Sequence, residues 1–292
     1  MNVIQDQGPS GLHPTARTGP KPSARRGSSR EPSLSVQIAE WERRWQELWD
    51  TRGAPAYELP PGGHKEREFL TNTRTPEKEQ ARLRRIHDEF VKGFRALYKL
   101  GPAVTVFGSA RFREDHPYYQ LAREVGAELA HAGFAVVTGG GPGIMEAANC
   151  GAFEAGGTSV GLNIMLRREQ RANRYVHQSM QCQHFFTRKV LLVKYSCAFV
   201  VMPGGLGTLD ELFEAATLIQ CGKIGPFPLI RMGTRFWEGM RRWGRFLMRQ
   251  GVFTQDEVGF CCATDSPKKA VELILAGLPD EVKSQLKLCA KA

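Results

Sequence analysis

The sequence has no long apolar run. No stretch approaches the roughly 18 consecutive apolar residues that a spanning helix needs, so a transmembrane helix is excluded. It also has no Cys-x-x-Cys pair. Its cysteines (Cys150, Cys182, Cys197, Cys221, Cys261, Cys262 and Cys289) sit mostly inside apolar runs such as Ser196-Cys197-Ala198-Phe199-Val200. That pattern predicts free thiols in a reducing compartment, and supports neither a disulfide framework nor a zinc site. An apolar leader is missing as well. Pro9, Pro14, Pro20 and Pro22 oppose an amphipathic transit helix, so a cytoplasmic location is expected. No glycine-rich turn is followed by Gly-Lys-Ser/Thr, which leaves ATP hydrolysis of the Walker type without local support. The dinucleotide fingerprint fails too. Gly139-x-Gly141 is followed by Ile144 where the third glycine belongs, and this turn comes after the second strand candidate, not the first. There is no internal repeat.

The composition is ordinary for a soluble globular chain of 292 residues, at 41% hydrophobic and 24% charged. Lys+Arg outnumber Asp+Glu by 40 to 30, a net charge of +10. A basic balance suits an anionic partner: nucleic acid, a membrane surface or a phosphorylated metabolite. Part of the excess lies at the start, where Arg17, Lys21, Arg25, Arg26 and Arg30 face only Asp6 and Glu31. A solvated basic surface explains that charge as well as a nucleic-acid site does. Neither nucleic acid nor membrane is the expected partner.

Residues 1–33 are rich in Gly, Pro, Ser and Arg and read as a disordered basic tail. Residues 34–99 read as a helical extension. Its first helix, Val36 to Trp49, places Ile38, Trp41, Trp45, Leu48 and Trp49 at helical spacing, a docking or core-packing face. A linker over 51–63 precedes a second helix over 76–99, with Ile86, Phe90, Phe94 and Leu97 on one face. From 100 to 278 short β-rich runs alternate with helices. Strands are expected at Ala103–Phe107, Phe134–Thr138, Thr158–Asn163, Cys182–Phe186, Cys197–Met202, Phe227–Ile230 and Gly259–Ala263. This alternation predicts one α/β domain, a three-layer sandwich around a parallel sheet. Residues 279–292 read as a C-terminal tail.

Four strand-to-helix junctions carry unusual residues. They are Phe107-Gly108-Ser109-Ala110-Arg111, Thr138-Gly139-Gly140-Gly141-Pro142-Gly143, Phe186-Thr187-Arg188-Lys189, and Met202-Pro203-Gly204-Gly205-Leu206-Gly207-Thr208. In an open parallel sheet all four lie at the carboxyl ends of strands, where ligands bind. Glycine permits positive φ and lets amide N–H groups face a ligand. A helix N-terminus adds unpaired donors and partial positive charge, which suits phosphate. Thr208 caps its helix or offers a hydroxyl to phosphate. Glu211, read as lying in the first turn of its helix, has two readings: a helix-dipole partner, or a carboxylate that stabilises an oxocarbenium-like state and orients water. Asp210 is expected to face solvent or act as a cap partner, and Glu214, one turn on, to support Glu211. Arg188 is either a surface cation or a contact for phosphate or leaving group.

At these residues the chain resembles a known family. Pro203-Gly-Gly-Leu-Gly-Thr-Leu-Asp-Glu211 matches PGGxGTxxE, Gly139-Gly-Gly-Pro-Gly-Ile-Met-Glu-Ala-Ala-Asn149 matches a second glycine motif, and Arg188-Lys189 matches an Arg-Lys pair. Together they resemble the LOG (LONELY GUY) family of cytokinin riboside 5′-monophosphate phosphoribohydrolases, long mislabelled lysine decarboxylases. Gly161-Leu-Asn-Ile164 followed by Glu169-Gln170 is similar to the bacterial branch. The resemblance spans about 100–230 and leaves 1–99 outside. It implies a Rossmann-like sheet with no cofactor and no metal, and hydrolysis of the N-glycosidic bond of a nucleoside 5′-monophosphate, AMP or an N6-modified AMP. It implies Glu211 and Arg188 as the catalytic pair. The nucleotide site would comprise Ser109, Gly140, Gly141, Gly143, Glu146, Asn149, Lys189, Gly204, Gly205, Gly207 and Thr208. A homodimer or larger homo-oligomer is also implied. Decarboxylation would need a pyridoxal-binding lysine, and neither Lys189 nor Lys194 has such a setting. A non-catalytic nucleotide or molybdenum-cofactor carrier of the same fold would keep both glycine turns without needing Glu211 and Arg188. The presence of both favours the enzyme.

Overall fold

The computed structural model describes residues 75–165, 172–225, 227–255 and 261–289, together with 36, 39, 40 and 43. The expected basic tail, most of the tryptophan-bearing helix, the linker and the Glu169-Gln170 pair lie outside the described residues. The chain divides into two units, Met1–Pro60 and Pro61–Ala292. The four described residues of the first are helical.

The second unit holds a seven-stranded sheet. Its elements in chain order are α1 Pro76–Leu97, β1 Ala103–Phe107, α2 Pro117–His131, β2 Ala135–Thr138, α3 Ile144–Glu154, β3 Ser159–Ile164, β4 Gln178–Cys182, α4 Phe185–Lys194, β5 Ala198–Val201, α5 Leu206–Gln220, β6 Leu229–Met232, α6 Glu238–Arg249, β7 Cys261–Thr264, α7 Pro267–Gly277 and α8 Asp280–Cys289. The strand order is β4-β3-β2-β1-β5-β6-β7, with every pairing parallel. Strands β1 to β3, β5 and the start of β6 are buried, and their alternate residues serve opposite faces. Val104, Val106, Val136, Val200 and Ile230 pack under α2, α3, α7 and α8. Phe107, Val137, Leu162, Phe199 and Leu229 pack under α1, α4 and α5. The result is the three-layer Rossmann-like sandwich that the alternation predicts.

Three differences have physical causes. The fourth strand is Gln178–Cys182, not Cys182–Phe186. Among the described residues it is an edge strand that pairs only with β3, and it is largely exposed, so its polar Gln-Ser-Met-Gln-Cys run lacks the apolar signature. Phe185 and Phe186 instead form the exposed first turn of α4. The stretch read as a C-terminal tail contains α8, whose Leu286 is buried with the first core cluster. Helix α1 belongs to the second unit and docks on the sheet, with Leu97 buried among the residues of the second cluster. Among the described residues no helix is long and apolar enough to cross a membrane.

Candidate active site

The strand order reverses between β1 and β5, which are neighbours in the sheet. Chain leaves β1 toward one side and β5 toward the other, and the crevice between their carboxyl ends is where an open α/β sheet binds ligands. The first and fourth junctions meet there. Ser109 donates its N–H to the Pro203 carbonyl at 3.0 Å, and the Ser109 carbonyl accepts from Ile144 N at 3.0 Å. A Cβ on Gly143 would lie 2.5 Å from Ser109 O, and one on Gly139 would lie 3.4 Å from Arg188 Nη1. The four junctions thus form a chain of neighbours at the carboxyl end of the sheet, the first touching the second and fourth and the second approaching the third.

The helix starts differ. Helices α1, α2 and α7 carry their own N-caps: Thr75, His116 and Ser266 accept from Lys78 N, Tyr118 N and Lys269 N, each followed by proline at the first position. Helices α3, α4 and α5 begin at Gly143, His184 and Gly205 with no side-chain cap bond. The amide donors of α3 and α5 are therefore not consumed by their own caps.

The glycines do two jobs. Gly140 and Gly143 take φ of +67° and +70°, where L side chains are strained. In the Pro203–Thr208 turn the expected positive φ is not used. A Cβ on Gly204 would overlap Thr208 Oγ1, whereas those on Gly205 and Gly207 would meet nothing within 4 Å. Those two keep the space above α5 open. Thr208 is buried and does not cap its helix.

Glu211 is the sixth residue of α5, beyond the first turn in which the sequence placed it. The dipole effect falls off within that turn, so the helix-dipole reading loses its basis. The carboxylate is 4% exposed, and burial pushes its pKa up to about 7 against the pull of Arg188 and Lys189, with Glu214 and Asp210 adding to the rise. Arg188 Nη2 donates to Glu211 Oε1 at 3.3 Å, and its guanidinium lies over the Phe185 ring. Arg188 Nε and the Thr187 hydroxyl are buried with no hydrogen-bond partner among the described residues, which leaves two spare donors. Lys189 lies 3.0 Å from Asp210 and 2.9 Å from Glu214, tying α4 to α5. Asp210 is exposed, as expected, and pairs with this lysine.

Glu146 lines a neighbouring cleft of about 530 Å³ with Arg111, Arg113, Tyr119 and Gly143. Asn149 is fully buried beneath the turn. It accepts from Thr138 Oγ1 at 2.6 Å and donates to Ser159 Oγ at 2.8 Å. Asn173 was not among the sequence candidates. Its backbone N–H and side-chain amide donate to the Gly140 and Gly141 carbonyls and to Asn149 Oδ1 at 2.9–3.1 Å, clamping the glycine turn from the segment after β3. Periodicity does not reveal it, because it lies in a loop.

Fold and site together define an α/β protein with a carboxylate–guanidinium pair among glycine turns at the switch point. The family model described as "Possible lysine decarboxylase" matches residues 145–274. The chain is 33% identical over 174 residues to the cytokinin riboside 5′-monophosphate phosphoribohydrolase of Mycobacterium tuberculosis, covering 59% of this chain and 84% of that one. It is 28% identical over 165 residues to the enzyme of the same name in Mycobacterium marinum, covering 56% and 88%. Among solved structures, the molybdenum cofactor binding protein of Rippkaea orientalis is similar with a TM-score of 0.45 at 23% identity, covering 60% of this chain and 96% of that one. The chain belongs to the family of cytokinin riboside 5′-monophosphate phosphoribohydrolases, the LOG family.

Proposed function

We propose that the protein hydrolyses the N-glycosidic bond of a nucleoside 5′-monophosphate, AMP or an N6-modified AMP, to free base and ribose 5-phosphate. The observation that carries this reading is the buried Glu211, paired with Arg188 at the switch point between two glycine turns. The names of the similar proteins support it. The 5′-phosphate would take the amide donors at the α3 and α5 N-termini, and its binding would place the sugar over Glu211. As the C1′–N bond breaks, its electron pair leaves with the base, which takes up a proton. The Glu211 carboxylate stabilises the positive sugar and accepts a proton from the water that adds to C1′. Arg188, with a spare Nε–H, contacts phosphate or leaving group. Ser109, Gly140, Gly141, Gly143, Gly204, Gly205, Gly207 and Thr208 form the phosphate cradle. Glu146 contributes from the adjoining cleft, Asn149 by holding the turn, and Lys189 by holding α5 against α4.

The test is chromatography of AMP incubated with wild type and with Glu211→Gln. Free adenine and ribose 5-phosphate from wild type, and a strongly reduced yield from the variant, are expected. Release of no base from several nucleoside monophosphates would overturn the hydrolase reading in favour of a carrier. Adenosine, without the phosphate, should be a much poorer substrate.

We also propose that the protein works as a homo-oligomer. Phe213 of α5 and Trp243 of α6 touch edge to face at 6.0 Å, yet remain 43% and 49% exposed. Helix α6 buries none of its residues. An apolar face of this kind suits a second copy of the chain.

A further inference from the structure

The helix that carries Arg188 is capped from outside itself. Helix α4 has no side-chain cap bond at His184 and no acid in its first turn. Glu89 of α1 supplies what is missing. Its Oε1 accepts from the backbone N–H groups of Gln183 at 3.0 Å and His184 at 3.3 Å, and its Oε2 lies 2.8 Å from His184 Nδ1. The Glu89 and His184 side chains are only 8% and 10% exposed. A carboxylate in this place satisfies orphan donors and complements the positive end of the helix. One turn on, the His184 carbonyl accepts the Arg188 N–H at 3.3 Å. The chain of contacts from Glu89 to Arg188 therefore has one intermediate residue.

We propose that Glu89 is a positioning residue. Through His184 and the first turn of α4 it fixes Arg188 against Glu211 and the Gly139 turn, so that α1, outside the region matched by the family model, is a working part of the site. The proposal rests on the role given to Arg188 above. Docking of α1 has other supports. A Cβ on Gly93 would overlap Leu191, the Phe94 ring lies tilted against Tyr195 with centroids 6.1 Å apart, and Gln178 Nε2 donates to the Ala96 carbonyl. Loss of Glu89 is therefore expected to leave the fold standing and loosen the start of α4.

The test is a double-mutant cycle on the full chain, with Tm as the check on folding. Glu89→Ala should lower kcat/KM for AMP about tenfold or more. In an Arg188→Ala background the same change should cost less than about twofold, because the two residues act as one unit. Glu89→Gln should recover to within about threefold of wild type, since its amide oxygen still accepts both backbone N–H groups. Additive losses in the cycle, or no loss in Glu89→Ala, would overturn the proposal. Where Glu89→Ala does not fold, Glu89→Asp replaces it, keeping the charge but lacking the reach. A second cycle needs no turnover: the carboxyl titration of Glu211 followed by carbon-13 NMR. Arg188 and Lys189 hold the Glu211 pKa down, against burial and the neighbouring Glu214 and Asp210, which raise it. Arg188→Ala should raise the Glu211 midpoint, Glu89→Ala should raise it too, and the double variant should not exceed Arg188→Ala alone. If wild type releases no base, the hydrolase reading fails while this titration still decides the positioning. An unmoved Glu211 midpoint in Glu89→Ala overturns it.

Discussion

A carboxylate held near neutral pKa can be switched by modest changes in pH, and Glu211 is such a group. Its proposed role requires the ionised form. In the free enzyme kcat/KM should therefore rise with pH along an acidic limb centred near 7, the value to which burial pushes this side chain. Glu211→Gln keeps the shape and a hydrogen-bonding group but no charge. It should lower kcat by roughly two or more orders of magnitude, the scale of a lost acid–base or electrostatic contribution, and flatten that limb. Nucleotide binding should survive, as calorimetry with AMP would show. Equal rates from variant and wild type would remove Glu211 from its role. Arg188→Ala should weaken turnover and binding together. In the sequence both stood out as candidates, Glu211 beyond a glycine turn and Arg188 within a helix-opening junction, each with two readings, and only the motif resemblance named them as a pair. The position of Glu211 in its helix was not legible, because the start of α5 at Leu206 depends on a turn that keeps to negative φ.

Helices announce themselves by period and ends by caps, which is why α1 at Pro76–Leu97 falls close to its expected bounds of 76–99. The edge strand β4 does not, because exposed strands need no apolar alternation. One signal was present and unread. On α1, Glu89, Gly93 and Leu97 form the buried stripe, with the half-buried Ile86 and Phe90 beside it. A charged residue there needs a buried partner, which is His184. The amphipathic α6 poses the opposite case, a helix that packs Met240 and Trp243 against its own fold yet buries none of its residues. Phe213→Asp combined with Trp243→Asp should convert a homo-oligomer to a smaller species in analytical ultracentrifugation, with Tm otherwise little affected. An unchanged sedimentation coefficient would place the interface elsewhere.

At the scale of the molecule, seven parallel strands with a reversal between β1 and β5 determine where a ligand can sit, and the glycine junctions determine what kind. The layers were legible from strand–helix alternation alone. The gathering of the glycine junctions at the carboxyl ends was expected from it too, but the strand order that brings Ser109, Gly143 and Pro203 into direct contact was not, because strand order is a long-range property that no local pattern encodes. The same architecture has a measurable cost. Glu211 is buried at the crevice floor, and its folded pKa lies above its ordinary value of 4.5. Between about 4.5 and 7 the folded protein holds a proton on this group that the unfolded chain has released, so stability from this group is full below that window and falls as pH rises through it. The pair with Arg188 offsets only part of the burial cost. Glu211→Gln removes the titration. The difference in Tm between variant and wild type should therefore shift in favour of the variant from pH 5 to pH 8. Asp265, whose pKa is lowered by its bonds to Thr234, contributes with the opposite sign, but it is common to both proteins and cancels in the difference. Thermal unfolding of the two proteins in parallel across that range is the measurement. A difference independent of pH would mean that the free protein does not hold Glu211 near 7, and the acidic limb expected in the rate would then need another group.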